Sequence, residues 1–161
     1  MQRFWVLCLG LMLAACGAGE SEAQRAMKEA WVGVDVSNLV VQTLDGEPQP
    51  LKDILLENEG RGIILNIWAT WCPPCVHEMP ALDARGKRGD VMVVAISTDK
   101  NADILKDYLK KQNWGSGMRI WHDPMGSVTR ETLGARALPM SYILDANLIV
   151  RDVIVGPDDW K

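Results

Sequence analysis

The chain has 161 residues, 48% of them hydrophobic and 24% charged, enough for one globular domain with a true apolar core and no need of a metal or several disulfides. Its net charge of −4 provides no basic stripe for phosphate, so nucleic acid is excluded as an expected partner.

At the N-terminus, Arg3 and the free amine make a short positive region, and Phe4 to Leu13 is an apolar run interrupted only by Gly10. A spanning helix needs about 20 apolar residues, so this run reads as an export signal. It ends in Leu13-Ala14-Ala15-Cys16, which resembles the lipobox of bacterial lipoproteins. The resemblance implies a signal peptide over residues 1–15, lipid on Cys16 and a membrane anchor facing the periplasm or extracytoplasmic space. Gly17, rather than Asp, after that cysteine leans towards an outer membrane where a cell has one. A plain secretory signal cut near the same small residues is the competing reading. Cys8 leaves with the signal and lipid blocks Cys16, so Cys72 and Cys75 remain as the thiols of the mature chain. Closing so short a loop removes little unfolded-state entropy, so the pair is there for chemistry.

Residues 16–33 read as a lipid-anchored tether without a clear apolar face, with a nascent helix in the second half; flexible throughout, its reach is roughly 20 Å. A domain over 34–161 follows. Leu39 to Thr43 reads as a strand closed by Asp45-Gly46, with Pro48 and Pro50 stopping further pairing at a hairpin or irregular edge. Ile63 to Ala69 is a continuous apolar run, the pattern of a central strand buried on both faces. Beyond Cys72, Val76, Met79 and Leu82 recur at helical spacing, Pro73 and Pro74 fit a first helical turn, and Pro80 predicts a kink. Val91 to Ser97 is a second buried strand, and Ile104, Leu105, Tyr108 and Leu109 share a helical face. A short strand at Arg119 to Trp121, a short helix at Ser127 to Leu133 and a hairpin of Ser141 to Leu144 with Leu148 to Val155 complete the chain. This order implies an α/β fold: a central mixed sheet with helices on both faces.

A dithiol that exchanges electrons needs one accessible thiolate. Cys72 falls between a buried strand and a helix, where unpaired N–H groups and the positive end of the helix dipole favour its anion. Cys75, one turn on, is the deeper resolving partner, and the two prolines stiffen the turn between them.

The segment Asn66-Ile67-Trp68-Ala69-Thr70-Trp71-Cys72-Pro73-Pro74-Cys75-Val76-His77-Glu78-Met79-Pro80 resembles the active-site segment of TlpA/ResA-type thioredoxin-like proteins. Leu138-Pro139, followed by Ser141-Tyr142-Ile143-Leu144-Asp145, is similar to the loop and strand where thioredoxin-fold proteins carry their cis-proline. The resemblance spans roughly Val34 to Trp160. It implies a thioredoxin-like fold with an N-terminal extension and a helical insertion, a redox-active Cys72–Cys75 disulfide in place of a bound cofactor, and Glu78 as the carboxylate that shifts thiol pKa values and moves a proton. It also implies a substrate surface of Trp71, Pro73, Pro74, Leu138 and Pro139, where a cis X-Pro bond exposes a backbone edge to extended substrate. Implied partners are exported disulfide-containing proteins such as apocytochrome c, and a membrane thiol-electron donor; the protein itself is expected to be a monomer. Two departures stand out. Asn66 replaces the buried acid of thioredoxin, removing that proton carrier, and the given sequence stops after Gly156-Pro157-Asp158-Asp159-Trp160, where the resemblance implies a closing helix, so one helical cover of the sheet is expected to be missing or supplied otherwise.

Competing readings attach to several of these residues. The cysteine pair alone is half a zinc site, but no second C-x-x-C completes it. Glu78 alone reads as a solvated carboxylate near a helix start, His77 and His122 as surface or capping residues, Trp68 and Trp71 as packing, Met79, Met125 and Met140 as gap-fillers, and Pro139 as a trans turn proline. The favoured function is a reductase of exported disulfides. The same chemistry run the other way gives an oxidase or isomerase, and a different class is a chaperone holding Cu(I) on Cys72, Cys75 and a distant histidine such as His122. A peroxidase is weaker, since Thr70-Trp71-Cys72 is one residue short of the peroxiredoxin Thr-x-x-Cys.

Overall fold

The computed structural model describes residues 20–161; the expected signal peptide and Cys16 lie outside them. Seven strands form one sheet: β1 (Val40–Gln42), β2 (Pro48–Pro50), β3 (Gly62–Trp68), β4 (Val91–Ser97), β5 (Met118–His122), β6 (Met140–Leu144) and β7 (Val150–Val155), in the order β2-β1-β5-β4-β3-β6-β7. The centre is parallel, with β3 beside β4 and β4 beside β5, while β6 and β7 add antiparallel strands on the other side of β3. The mixed α/β sheet expected from the element order is therefore present. Each parallel crossover carries a helix, α3 (Pro73–Lys87) between β3 and β4 and α4 (Ala102–Leu109) between β4 and β5.

Alternation along β3 divides the core. Ile63, Leu65 and Ile67 join one apolar cluster with Val128, Leu133 and Tyr142, whereas Ile64 and Trp68 join the other with Met79 and Leu82 of α3 and Leu105 of α4. Asn66 shares this second face and is fully buried.

Two expectations change. Part of the expected tether is helix α1 (Glu22–Trp31), capped by Ser21 and lying along β7. The Gln24 side chain donates to the Val153 carbonyl and accepts from Val155 N at 2.6 Å, while Met27 and Trp31 pack on the core. Lys28 bridges to Asp152 at 2.9 Å. The docked face reads Gln24, Met27, Trp31; its polar first member hides the apolar pattern, yet that amide serves the open backbone of an edge strand. Pro48 and Pro50 do not end pairing, since β2 pairs antiparallel with β1 throughout. An edge strand has one neighbour only and tolerates their missing N–H groups. Pro80 lies inside α3, which continues to Lys87.

The segment before β3 holds a 3-10 turn (Leu51–Ile54) and a one-turn helix α2 (Leu55–Asn58), which no sequence signal marked. Ser127–Thr132 is helical as expected but wound as a π-helix, its first amides held by the buried Asp123 carboxylate: Val128 N at 3.1 Å and Thr129 N at 2.7 Å.

Candidate active site

Cys72 caps α3, and its sulfur is bonded to that of Cys75. Cys75 is fully buried and Cys72 is 5% exposed, so the expected order of depth holds while the exposure of Cys72 is slight. The prolines at the first two helical positions lack N–H groups, which removes two of the orphan donors that a helix start normally offers. Cys75 N remains, and it donates to Cys72 Sγ at 3.4 Å. The sulfur thus faces one amide and the helix dipole rather than a full set of donors, a narrower means of stabilising a thiolate than the spacing alone implies.

Glu78 lies one turn beyond Cys75 and is only 3% exposed. Asn66 Nδ2 donates to its Oε1 at 2.8 Å, and Asp158 N and Trp160 Nε1 donate to Oε2 at 3.0 and 3.2 Å. Asn66 Nδ2 also reaches Ser141 Oγ at 2.9 Å, tying β3 to β6 beneath the helix. Burial pushes the Glu78 pKa up, and the nearby Asp158 carboxylate adds to this; the bonds from Asp158 N, Asn66 and Trp160 pull it down without cancelling the rise. A carboxyl group so placed can take up and give back a proton nearer neutrality than a free one.

The loop between β3 and α3 is held from the side. Asp99 accepts from Thr70 N at 2.9 Å, Thr70 Oγ1 at 2.7 Å and Ser97 Oγ at 2.7 Å. Trp71 next to it stands 66% exposed. Behind the loop, Trp68 packs against Tyr108 and Trp114. The Leu138–Pro139 peptide bond is cis, Leu138 packs on the cluster containing both cysteines, and the Pro139 carbonyl accepts from Gly156 N at 2.9 Å.

A model of the AhpC/TSA family matches residues 32–153. The chain belongs to that family. Within it, a ResA thiol-disulfide oxidoreductase of Bacillus thuringiensis is 30% identical over 157 residues, covering 95% of this chain and 87% of the relative. A thioredoxin-like protein, YneN, of Bacillus subtilis is 30% identical over 77% of this chain and 71% of its own. Among solved structures, a thiol:disulfide interchange protein of the thioredoxin family from Chlorobium tepidum superimposes with a TM-score of 0.61 at 27% identity, over 78% of this chain and 88% of that one. This AhpC/TSA member is a thioredoxin-like thiol-disulfide oxidoreductase of ResA type.

In this ResA-type chain the structure brings together Cys72, Cys75, Pro73, Pro74, Trp71, Glu78 and the Leu138–Pro139 loop. His122 goes elsewhere: it is buried, and its Nε2 shares a hydrogen bond with the Asp99 carbonyl. Among the described residues no three His, Cys, Asp or Glu side chains are grouped as metal ligands. Sequence reasoning missed Asn66 as a partner of Glu78, treating it only as a lost acid, and missed Asp99, Asp158 and Trp160. A lone tryptophan in an otherwise polar tail is the one signal that could have revealed the last: Trp160 is buried in the α3-side cluster.

Proposed function

We propose that this chain is an exported reductase that opens disulfides in other exported proteins, apocytochrome c among them, and is recharged by a membrane dithiol donor. The observation that carries the reading is a strand-to-helix disulfide whose outer sulfur has an amide partner, with a buried carboxyl of raised pKa one turn beyond Cys75. Signal peptide, lipid on Cys16 and envelope location belong to this reading, as does a domain that includes α1.

In the reduced protein, Cys72 as thiolate attacks one sulfur of the client disulfide. The client S–S bond breaks, a Cys72–client bond forms, and the released client sulfur takes a proton. Cys75 then loses its proton, with Glu78 as acceptor, and attacks Cys72 Sγ. The client leaves as a dithiol and the protein regains its Cys72–Cys75 disulfide; two electrons have moved from protein to client, and the membrane donor restores them. Trp71 and the cis Leu138–Pro139 bond flank the path of an extended client chain.

Cys75→Ser tests the reading, because it removes the resolving step and leaves the attack. Envelope extracts should then hold client proteins linked to Cys72 and released by reductant; extracts without such adducts, from cells that make the folded variant, overturn it.

A further inference from the structure

Beside the disulfide lies positive charge left unpaired among the described residues. A hollow of about 300 Å³ is lined by Trp71, Leu138, Arg130 and Arg136, among others. It shares Thr98 and Arg130 with a second hollow of about 360 Å³, which adds Lys100 and Met125. Lys100, Arg130 and Arg136 are exposed, and among the described residues none of them enters an ion pair. Among the described residues no carboxylate lines either hollow. Three such cations along two adjoining hollows that share Arg130 make a local positive surface on a chain of net charge −4. The backbone groups of Arg136, Ala137 and Leu138 make no main-chain hydrogen bond among the described residues, so an extended segment can pair there directly before the cis bond.

We propose that this groove selects clients whose disulfide cysteine sits in an extended segment bearing acidic side chains. The inference rests on the reductase reading above and gives its substrate class. Trp71 and Met125 supply apolar contact, and the three cations meet carboxylates on the client. Concave walls concentrate such a field, raising the encounter rate of acidic segments and opposing basic ones.

The experiment uses the reduced full-length protein and two peptides, each with one internal disulfide and identical except for Asp and Glu or Lys and Arg flanking the cysteines. Oxidation of the protein is followed by tryptophan fluorescence. Each rate is divided by that for neutral hydroxyethyl disulfide on the same protein, which removes any effect on the sulfurs themselves. At low salt the acidic peptide should react about tenfold faster than the basic one, and the ratio should collapse towards one at 1 M salt, where the screening length is about 3 Å. The double variant R130E/R136E should reverse the ranking. R88E, which changes charge at the opposite end of α3, should keep it. Equal rates for the two peptides at low salt, or an unchanged ranking in R130E/R136E, overturns the proposal while hydroxyethyl disulfide turnover leaves the reductase reading standing. Failure on every disulfide, the small one included, removes both.

Discussion

Helix α3 carries two buried carboxylates, Glu78 and Asp83, each 3% exposed, and the protein treats them in opposite ways. Burial pushes both pKa values up, yet Glu78 ends above the ordinary carboxylate range and Asp83 below it. Each accepts three hydrogen bonds. For Asp83 the donors are Gly115 N at 2.9 Å, Gly117 N at 2.6 Å and the Lys87 ammonium at 2.6 Å; for Glu78 they are one side-chain amide, one backbone amide and one indole. The difference lies in the donors, an ammonium and two backbone amides against one backbone amide and two neutral side chains, together with the counter-charge. Asp83 has Lys87 one turn on, while the charged neighbour of Glu78 is another carboxylate, Asp158. A buried acid with a cation is pinned in one protonation state and serves as a rivet. A buried acid with neutral donors alone is held in place yet remains free to titrate.

The rivet fixes α3 against the loop before β5, where the fit is so close that a Cβ on Gly86 would sit 1.8 Å from the Gly117 carbonyl oxygen. Asp83→Ala removes the acceptor of two half-buried amides and should cost about 2 kcal/mol of stability, read as a fall in the denaturant midpoint, with thiol-exchange rates unchanged. Asp83 also gives the acid limb of stability its sign. Its folded pKa is lowered, so the unfolded chain binds more protons across the window below the ordinary carboxylate value. The contribution is complete above that value and is lost as pH falls through the lowered one; Asp83→Ala should flatten this limb. If instead the variant keeps its stability but alters the exchange chemistry, the contrast between the two carboxylates is wrong.

Glu78→Gln should act the other way round. In the proposed cycle the step it slows is release of the client by Cys75, by about a hundredfold, or about 2.7 kcal/mol of barrier. The wild-type pH profile of that step should bend at a value above the ordinary glutamate range, and the bend should vanish in the variant. For Glu78 the folded state binds more protons, so wild-type stability should decline as pH rises from the ordinary carboxylate value to the raised one; Glu78→Gln should lack this decline. Single-turnover release of a pre-formed mixed disulfide, measured from acid to alkaline pH, checks the first; denaturant titrations over the same range check the second.

How much of this was legible in advance follows from how local each signal is. The runs Ile63–Trp68 and Val91–Ser97, and the helix entered through Pro73 and Pro74, were readable because a strand buried on both faces is apolar at nearly every position, Asn66 and Ser97 being the exceptions, and prolines mark a first turn. The cysteines announce their pairing by spacing, and Leu138-Pro139 its place by the strand that follows. What the sequence hid depends on partners far along the chain: Asn66 with Glu78, Thr70 with Asp99, and Gln24 of α1 with the edge of β7. Each is a polar residue whose role exists only once another element arrives, and no periodicity records it.

Trp160 offers the smallest and most discriminating test, because it separates holding Glu78 from merely covering it. Trp160→Phe keeps most of the apolar surface within the α3-side cluster and deletes only the indole donor to Glu78 Oε2. One lost hydrogen bond should cost about 1 kcal/mol. That loss alone is what a packing residue would show. If the indole also tunes the carboxylate, removing a donor to its charged form moves the Glu78 pKa further up, and the bend in the client-release profile shifts to higher pH with it. In a Glu78→Gln background the shift must disappear, since no titrating group is left for Trp160 to act on. A bend that stays put in Trp160→Phe would leave Asn66 and Asp158 N as the groups that set the carboxylate, with Trp160 reduced to a cover over α3.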